Sequence, residues 1–510
     1  MTTDRTTAEN APEHLDCIVV GAGLSGIDAA YHVTKAFPER SLAVLEARDS
    51  LGGTWDLFRY PGVRSDSDMF TLGFSWKPWT GKKAIADGAD ILDYLREAAD
   101  ENGITERIRF GHKVVRANYV SDEGRWHVTA QRTDTGEEVE LTANFVVATT
   151  GYYRYDEGFT PEFAGREEFT GEVLHPQHWP QDFDATGKRV VVIGSGATAV
   201  TLVPALAKAG AAQVTMLQRT PSYILSAPDE SPLAPLLRRL PEKTASKIIR
   251  AQYATVSIGL YEFCRKFPDR SRSILRSMVA KQLPDSIDVD EHFRPPYDPW
   301  DQRLCLVPRG DLFRALRRGD ADIVTDHIDR FTPNGILLKS GREIEADVIV
   351  TATGLNLLAV GGVQASIDGE PVDVPSTMVY KGMMLSDIPN FAFIVGYTNA
   401  SWTLKADLVC SYLVRIMEHL RDTGTSVVVP RRTPGVKEEP FLDFAAGYVL
   451  RSLNEFPKQG DVEPWRLKMN WFKDRKVFAQ PVDDGTLEFT TPAPSSTSLH
   501  EARERESLPV

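Results

Sequence analysis

The stretch LDCIVVGAGLSGIDAAYHV, Leu15 to Val33, decides the fold. Leu15–Val20 is a short apolar run rich in β-branched residues, which predicts a buried strand. GAGLSG follows at once, and an apolar helical pattern runs from Ile27 to Phe37. Gly21, Gly23 and Gly26 therefore take the three positions of a GxGxxG turn between strand and helix. At the first the chain turns tightly, at the second the backbone approaches a pyrophosphate, and at the third helix and strand pack closely. N–H groups at the helix start then face the phosphates. A second strand, Ser41–Leu45, ends in Glu46, 20 residues beyond Gly26, where an acid accepts hydrogen bonds from an adenosine ribose. Gly52–Gly53–Thr54–Trp55 comes next. Such a turn lays backbone against an isoalloxazine and its ribityl chain, whereas a Gly-Gly pair met alone is an ordinary loop. The first fold is thus expected to hold FAD.

The same grammar recurs at Lys188–Gln218. A strand, Arg189–Ile193, precedes GSGATA, with Gly194, Gly196 and Ala199, and a helix is predicted over Val200–Ala209. The next strand, Gln213–Leu217, ends in Gln218 and Arg219. Arg219 lies 20 residues past Ala199, where NAD-binding folds carry an acid. A cation there suits a 2′-phosphate and favours NADPH; the bland alternative is a solvated surface arginine. Two dinucleotide sites imply a division of labour, with FAD retained and NADPH delivering hydride. The fold class is α/β: two Rossmann-like domains, one for FAD and one for NADPH, with a helical insertion. DVIVTATG, Asp347–Gly354, reads as a strand bringing the chain back from the inserted domain.

A chain of 510 residues has room for about three domains and large cores. The expected divisions are 10–160 and 380–492 for the FAD domain, 165–222 and 297–375 for the NADPH domain, 223–296 for a helical insert, and 493–510 for a flexible polar tail. Net charge is −13, from 58 basic and 71 acidic residues, which argues against nucleic acid as a partner. The span 238–281 inverts that balance, with 11 basic residues against three acidic ones. Its favoured reading is a solvated lid over a substrate channel, and peripheral contact with a membrane surface stays open. Four dispersed cysteines, Cys17, Cys264, Cys305 and Cys410, form no CxxC pair. That argues against a cysteine metal cluster or a disulfide framework, no metal is expected, and a reducing cytoplasm suits the chain. The polar start lacks the layout of a signal peptide, and no run of 18 apolar residues predicts a span. Nothing in the sequence assigns an oligomeric state.

Between the two glycine turns lies Phe169-Thr-Gly171-Glu-Val-Leu-His175-Pro-Gln-His-Trp179-Pro180. This FxGxxxHxxxWP pattern resembles the fingerprint of Baeyer–Villiger flavin monooxygenases, placed before the second Rossmann fold as in that family. Trp179–Pro180 separates it from the N- and S-oxidising flavin-containing monooxygenases, whose related motif usually ends in Tyr. The likeness runs from about residue 14 to 490 and includes Gly52–Trp76, Tyr297–Pro308 and GYTNASWTLKADLV. It implies that FAD, NADPH and O2 act on a small apolar ketone, sulfide or thioamide through a C4a-peroxyflavin. His175 then organises the hinge between domains. Arg303 matches the family's active-site arginine, and Asp66 the acid that orients it and helps place the nicotinamide. From spacing alone, Arg303 reads as a surface ion-pair residue. Cofactor contacts are expected from Gly21, Gly23, Ser25, Gly26, Glu46, Gly53, Thr54, Trp55, Arg64, Asp66, Val114, Gly194, Ser195, Gly196, Ala197, Thr198, Ala199, Gln218 and Arg219. Gln302 stands where many relatives carry a lysine for the 2′-phosphate, leaving that task to Arg219. A disulfide reductase shares the paired folds but needs a redox cysteine pair, and a flavin-binding scaffold leaves the second fold without a role.

Overall fold

The computed structural model describes residues 11–231, 237, 239–442 and 446–492. The expected tail at 493–510 lies outside them. β1 (Glu13–Val20) is apolar enough to be buried along most of its length, as befits a central parallel strand. It leads through the glycine turn into α1 (Leu24–Ala36) and then β2 (Leu42–Leu45), parallel to β1 from Cys17–Leu42 to Val20–Leu45. The short helices α2 (Thr54–Leu57) and α3 (Met69–Leu72) precede α4 (Gly88–Glu101). β3 (Ile108–Arg109) then closes one edge of the sheet beside β2.

An antiparallel meander, β4 (His112–Val120), β5 (Arg125–Arg132) and β6 (Glu138–Ala148), extends the other side, and β6 runs parallel to β1. The nine-stranded sheet packs α1, α4 and the long helix Thr403–Thr423 into one core. A second core contains Trp126 and Tyr119, both at most 2% exposed.

The chain leaves this domain on β7 (Tyr153–Gly158), passes β8 (Glu172–Leu174) and enters the second fold through β9 (Arg189–Ile193), α5 (Ala197–Lys208) and β10 (Gln213–Gln218). Five parallel strands form its sheet, in the order Asp322–Thr325, β10, β9, Val348–Thr351, β8. The chain comes back on Leu355–Leu357, which pairs antiparallel with β7, so both crossings run side by side. This return is earlier than the expected boundary of 375–380. Gln364–Ile367 already pairs with β4, because its backbone completes the open edge of the first sheet. The insert also differs at its start. Ile224–Ala227 is a strand parallel to Cys305–Pro308, and helices follow at Glu242–Lys266 and Pro268–Ala280. β-branched and apolar side chains at Ile224 and Val307, both buried, explain that pairing.

The close packing at the first turn generates a test. A Cβ on Gly26 would collide with the carbonyl oxygen of Gly21, and Gly21 itself has φ +104°. Local strain of about 1–3 kcal/mol then falls on the pyrophosphate turn. Gly26→Ala is expected to weaken FAD uptake by about tenfold or more, read as flavin bound per chain across an FAD titration. A folded variant with wild-type affinity would show that the third glycine does not shape this cradle.

Candidate active site

The first cradle is built where β1, α1, the Gly52–Gly53 turn and Thr149 converge. A Cβ on Gly53 would lie 3.1 Å from the Cα of Gly23, so the two glycine segments touch backbone to backbone. Glu46 is buried at the end of β2, its Oε2 accepting the Ala22 N–H at 2.6 Å and its Oε1 the Arg48 N–H at 3.0 Å. Burial raises its pKa, and those two N–H donors oppose the rise. A carboxylate accepts about four hydrogen bonds, so acceptor capacity remains for a ribose. Thr54 Oγ1 lies 3.2 Å from the Tyr155 hydroxyl, and Trp55 packs half-buried against the first core. Ser25 is buried and accepts the Trp402 indole N–H at 2.7 Å. Val114 is a buried core residue on β4. The helix after GYTNASWT starts at Thr403.

From this cradle the segment Tyr60–Asp66 crosses to the second domain. Tyr60 bonds Thr198, and burial pushes its hydroxyl up to about 12. A Cβ on Gly62 would meet Ala205 and Thr201 of α5, so the backbone lies directly on that helix. Arg64 Nη1 donates to Asp311 Oδ2 at 2.5 Å. Asp66 Oδ2 lies 2.5 Å from Arg303 Nε. The Arg64 guanidinium is thus engaged by the carboxylate at the start of helix Asp311–Arg318.

Arg303 just precedes the strand Cys305–Pro308 and also donates from Nη1 to the Thr398 carbonyl at 3.2 Å. About a quarter of it is open to solvent, 27% against 36% for Asp66. Burial opposes its charge, but the Asp66 carboxylate outweighs this and holds the guanidinium more strongly protonated than usual. Burial raises the pKa of the nearby Tyr152, Tyr153 and Tyr448, so their hydroxyls stay protonated. Tyr152 and Tyr153 hydroxyls are 3.3 Å apart, and Phe58 stands edge-on to Tyr153 at 6.5 Å. The arrangement is a fixed cation, paired with Asp66, in the electrostatic neighbourhood of three neutral tyrosines. Sequence reasoning missed Tyr152 and Tyr153, although they follow the Ala148–Gly151 strand end directly. It also missed Tyr448, for which no local signal exists.

At the second turn, Gly194 has φ +137° and a Cβ there would strike the Ala352 carbonyl, while Gly196 faces open space. Ala197 begins α5, Ala199 is buried, and Ser195 Oγ donates to the Thr220 carbonyl at 2.9 Å. The Gln218 amide is buried and donates to the His292 carbonyl and Thr325 Oγ1, both at 2.8 Å. Arg219, the next residue, is exposed.

The fingerprint stitches the two crossings together. His175 Nδ1 accepts the Gln177 N–H at 3.2 Å, which leaves Nε2 to donate to the Gly354 carbonyl at 3.3 Å. Burial lowers its pKa, so the ring is neutral. The Gln177 amide donates to the Arg154 and Tyr155 carbonyls at 2.9 and 2.8 Å. Gly158 lies so close to the His175 ring that a Cβ would overlap it. His175 and Gln177 thus join the two crossings by hydrogen bonds.

The chain has relatives among known proteins. EthA of Mycobacterium tuberculosis, a FAD-containing monooxygenase, is 54% identical over 94% of this chain and 99% of its own. The chain belongs to the FAD-containing monooxygenases. It matches the family model of flavin-binding monooxygenase-like proteins at residues 84–239 and that of NAD(P)-binding Rossmann-like domains at 19–84. The fold is that of solved Baeyer–Villiger enzymes. A steroid monooxygenase bound to NADP has a TM-score of 0.73 at 22% identity, and cyclohexanone-bound cyclohexanone monooxygenase 0.72 at 20%, each covering 94% of this chain and all of the other. The curated relatives are named as FAD-containing, and solved structures of the same fold are described with FAD and NADP bound. The glycine cradles fit both dinucleotides, since a Cβ would close either turn.

Arg219 gives the coenzyme test. Loss of a charged phosphate partner costs about 1.5–3 kcal/mol, so Arg219→Ala is expected to raise the KM for NADPH roughly 10- to 100-fold and leave that for NADH nearly unchanged. Equal changes with the two coenzymes would rule out 2′-phosphate recognition by this residue.

Proposed function

We propose that this flavin monooxygenase is a Baeyer–Villiger enzyme that inserts one oxygen of O2 beside the carbonyl of a small apolar ketone, and that it also oxidises sulfides or thioamides. The observation that carries the proposal is Arg303, a fixed cation paired with Asp66 in the neighbourhood of three neutral tyrosines. Solved proteins of the same fold are described as bound to cyclohexanone and to ε-caprolactone, a ketone and a lactone. That pairing supports the carbonyl reading over purely N- or S-oxidising chemistry.

On this reading, Gly21, Gly23, Gly26, Glu46 and the Gly53–Trp55 turn hold FAD, and Gly194, Gly196, Thr198 and Arg219 hold NADPH. When bound, the pair supplies two electrons by hydride transfer and a reduced flavin that activates O2. The balance is ketone plus O2, NADPH and a proton giving ester, NADP+ and water. This chain's own residues handle the charge. Oxygen attack on a carbonyl places negative charge on oxygen, and Arg303 is a preorganised donor for it. Asp66 fixes the direction of the guanidinium. Tyr152, Tyr153 and Tyr448 stay neutral at any working pH, so they bound the site with apolar ring surface and restrict water. An apolar aromatic surface suits a small apolar ketone.

Removing such a donor costs about 3–4 kcal/mol, or two to three powers of ten in the oxygenation step. Arg303→Ala is expected to bind FAD and be reduced by NADPH, then release hydrogen peroxide in place of ester. Stopped-flow reduction together with product analysis from a linear ketone and an aryl sulfide checks this. Ester formed at the wild-type rate would leave Arg303 a structural ion pair, and sulfoxide without any ester from the wild type would favour the N- and S-oxidising alternative.

A further inference from the structure

Seven of the ten large apolar side chains that stand exposed among the described residues lie within 240–278: Leu240, Ile248, Val256, Phe263, Phe267, Ile274 and Met278, at 37–60%. Spacings of eight and seven residues keep Ile248, Val256 and Phe263 on one side of the helix Glu242–Lys266. The rings of Phe263 and Phe267 meet at 5.5 Å where this helix gives way to Pro268–Ala280, on which Ile274 and Met278 are one turn apart. The ridge is therefore continuous through the junction.

The charges of the same segment divide by side. Arg250 donates to the Phe70, Thr71 and Gly73 carbonyls and to Asp407, and Glu262 receives Asn470 and Lys473. Arg265, Arg272 and Arg276 pair with Asp301, Asp298 and Asp290. These contacts pin the insert to the body of the protein. Lys243, Lys247, Lys266, Arg270 and Lys281 are exposed, and among the described residues none of them has an ion pair with an acid. Lys266 and Arg270 instead lie over the Phe267 ring, at 5.5 and 5.6 Å, so cations and apolar groups share the outer face.

We propose that this outer face is a docking surface for an anionic phospholipid bilayer, on which the protein rests without crossing. No helix among the described residues is long and apolar enough to cross. Apolar side chains flanked by uncommitted cations, on a chain of net charge −13, match an interface of acyl chains under negative headgroups. A second copy docked by a two-fold axis would set this face against itself, cation on cation, which disfavours self-association.

The test uses FAD-loaded, full-length protein and co-flotation with vesicles of phosphatidylcholine alone or mixed with phosphatidylglycerol. Binding is expected to be about tenfold or more stronger on the anionic vesicles and to weaken with salt. Ile248→Ser/Val256→Ser/Ile274→Ser and Lys243→Gln/Lys247→Gln/Lys266→Gln/Arg270→Gln are each expected to lose most of it, with flavin content and NADPH oxidation on a soluble ketone unchanged. No binding to anionic vesicles, binding untouched by both sets of substitutions, or a concentration-dependent oligomer abolished by them without vesicle binding would each overturn the proposal.

Discussion

A guanidinium is a permanent charge, and what it needs from its surroundings is a carboxylate that fixes its direction; here cation and carboxylate come from different domains. Asp66 belongs to the segment that leaves the first nucleotide fold, and Arg303 to the return of the second. The pair therefore exists only when the two folds are docked. On the proposed reading, docking of the two folds also assembles the reacting centre.

The segment from Tyr60 to Asp66 is the clearest case. Its even-numbered residues meet the second domain in turn: Tyr60 at Thr198, Gly62 at α5, Arg64 at Asp311 and Asp66 at Arg303. The segment opens with a turn, the Val63 N–H bonding the Tyr60 carbonyl while Gly62 takes φ +77°. Its backbone is tied to the first domain, where Gly88 N–H bonds the Val63 carbonyl and Ser65 N–H bonds the Ala86 carbonyl. One strap thus hangs from one fold and grips the other. On the far side, His175 and Gln177 tie the two crossing strands, with no charge involved.

Much of this was legible in the sequence because it is local. The glycine turns, the strands on either side and Glu46 sit within about 30 residues of each other, and backbone conformation alone demands those glycines. What was not legible is long-range. The pairing of Gln364–Ile367 with β4 depends on an edge left open more than 200 residues earlier, so the domain boundary was drawn too late. Gln218 stands at the right spacing for a cofactor contact, yet its amide is turned inward by His292 and Thr325, which no pattern near it announces. Arg303 was correctly an ion-pair residue by spacing, but only the likeness to a family located its partner. Tyr448 is brought to the cation by the last stretch of chain and carries no motif.

The central claim is that Asp66 and Arg303 act as one unit at the reacting centre. It is tested most directly by a double-substitution cycle, with Asp66→Asn and Arg303→Lys alone and together, measuring oxygenated product formed per NADPH consumed. If the two act as a unit, each single change lowers the yield and the second adds little to the first, a coupling of about 0.5–3 kcal/mol. Losses that simply add, or a wild-type yield from Asp66→Asn, would contradict the account.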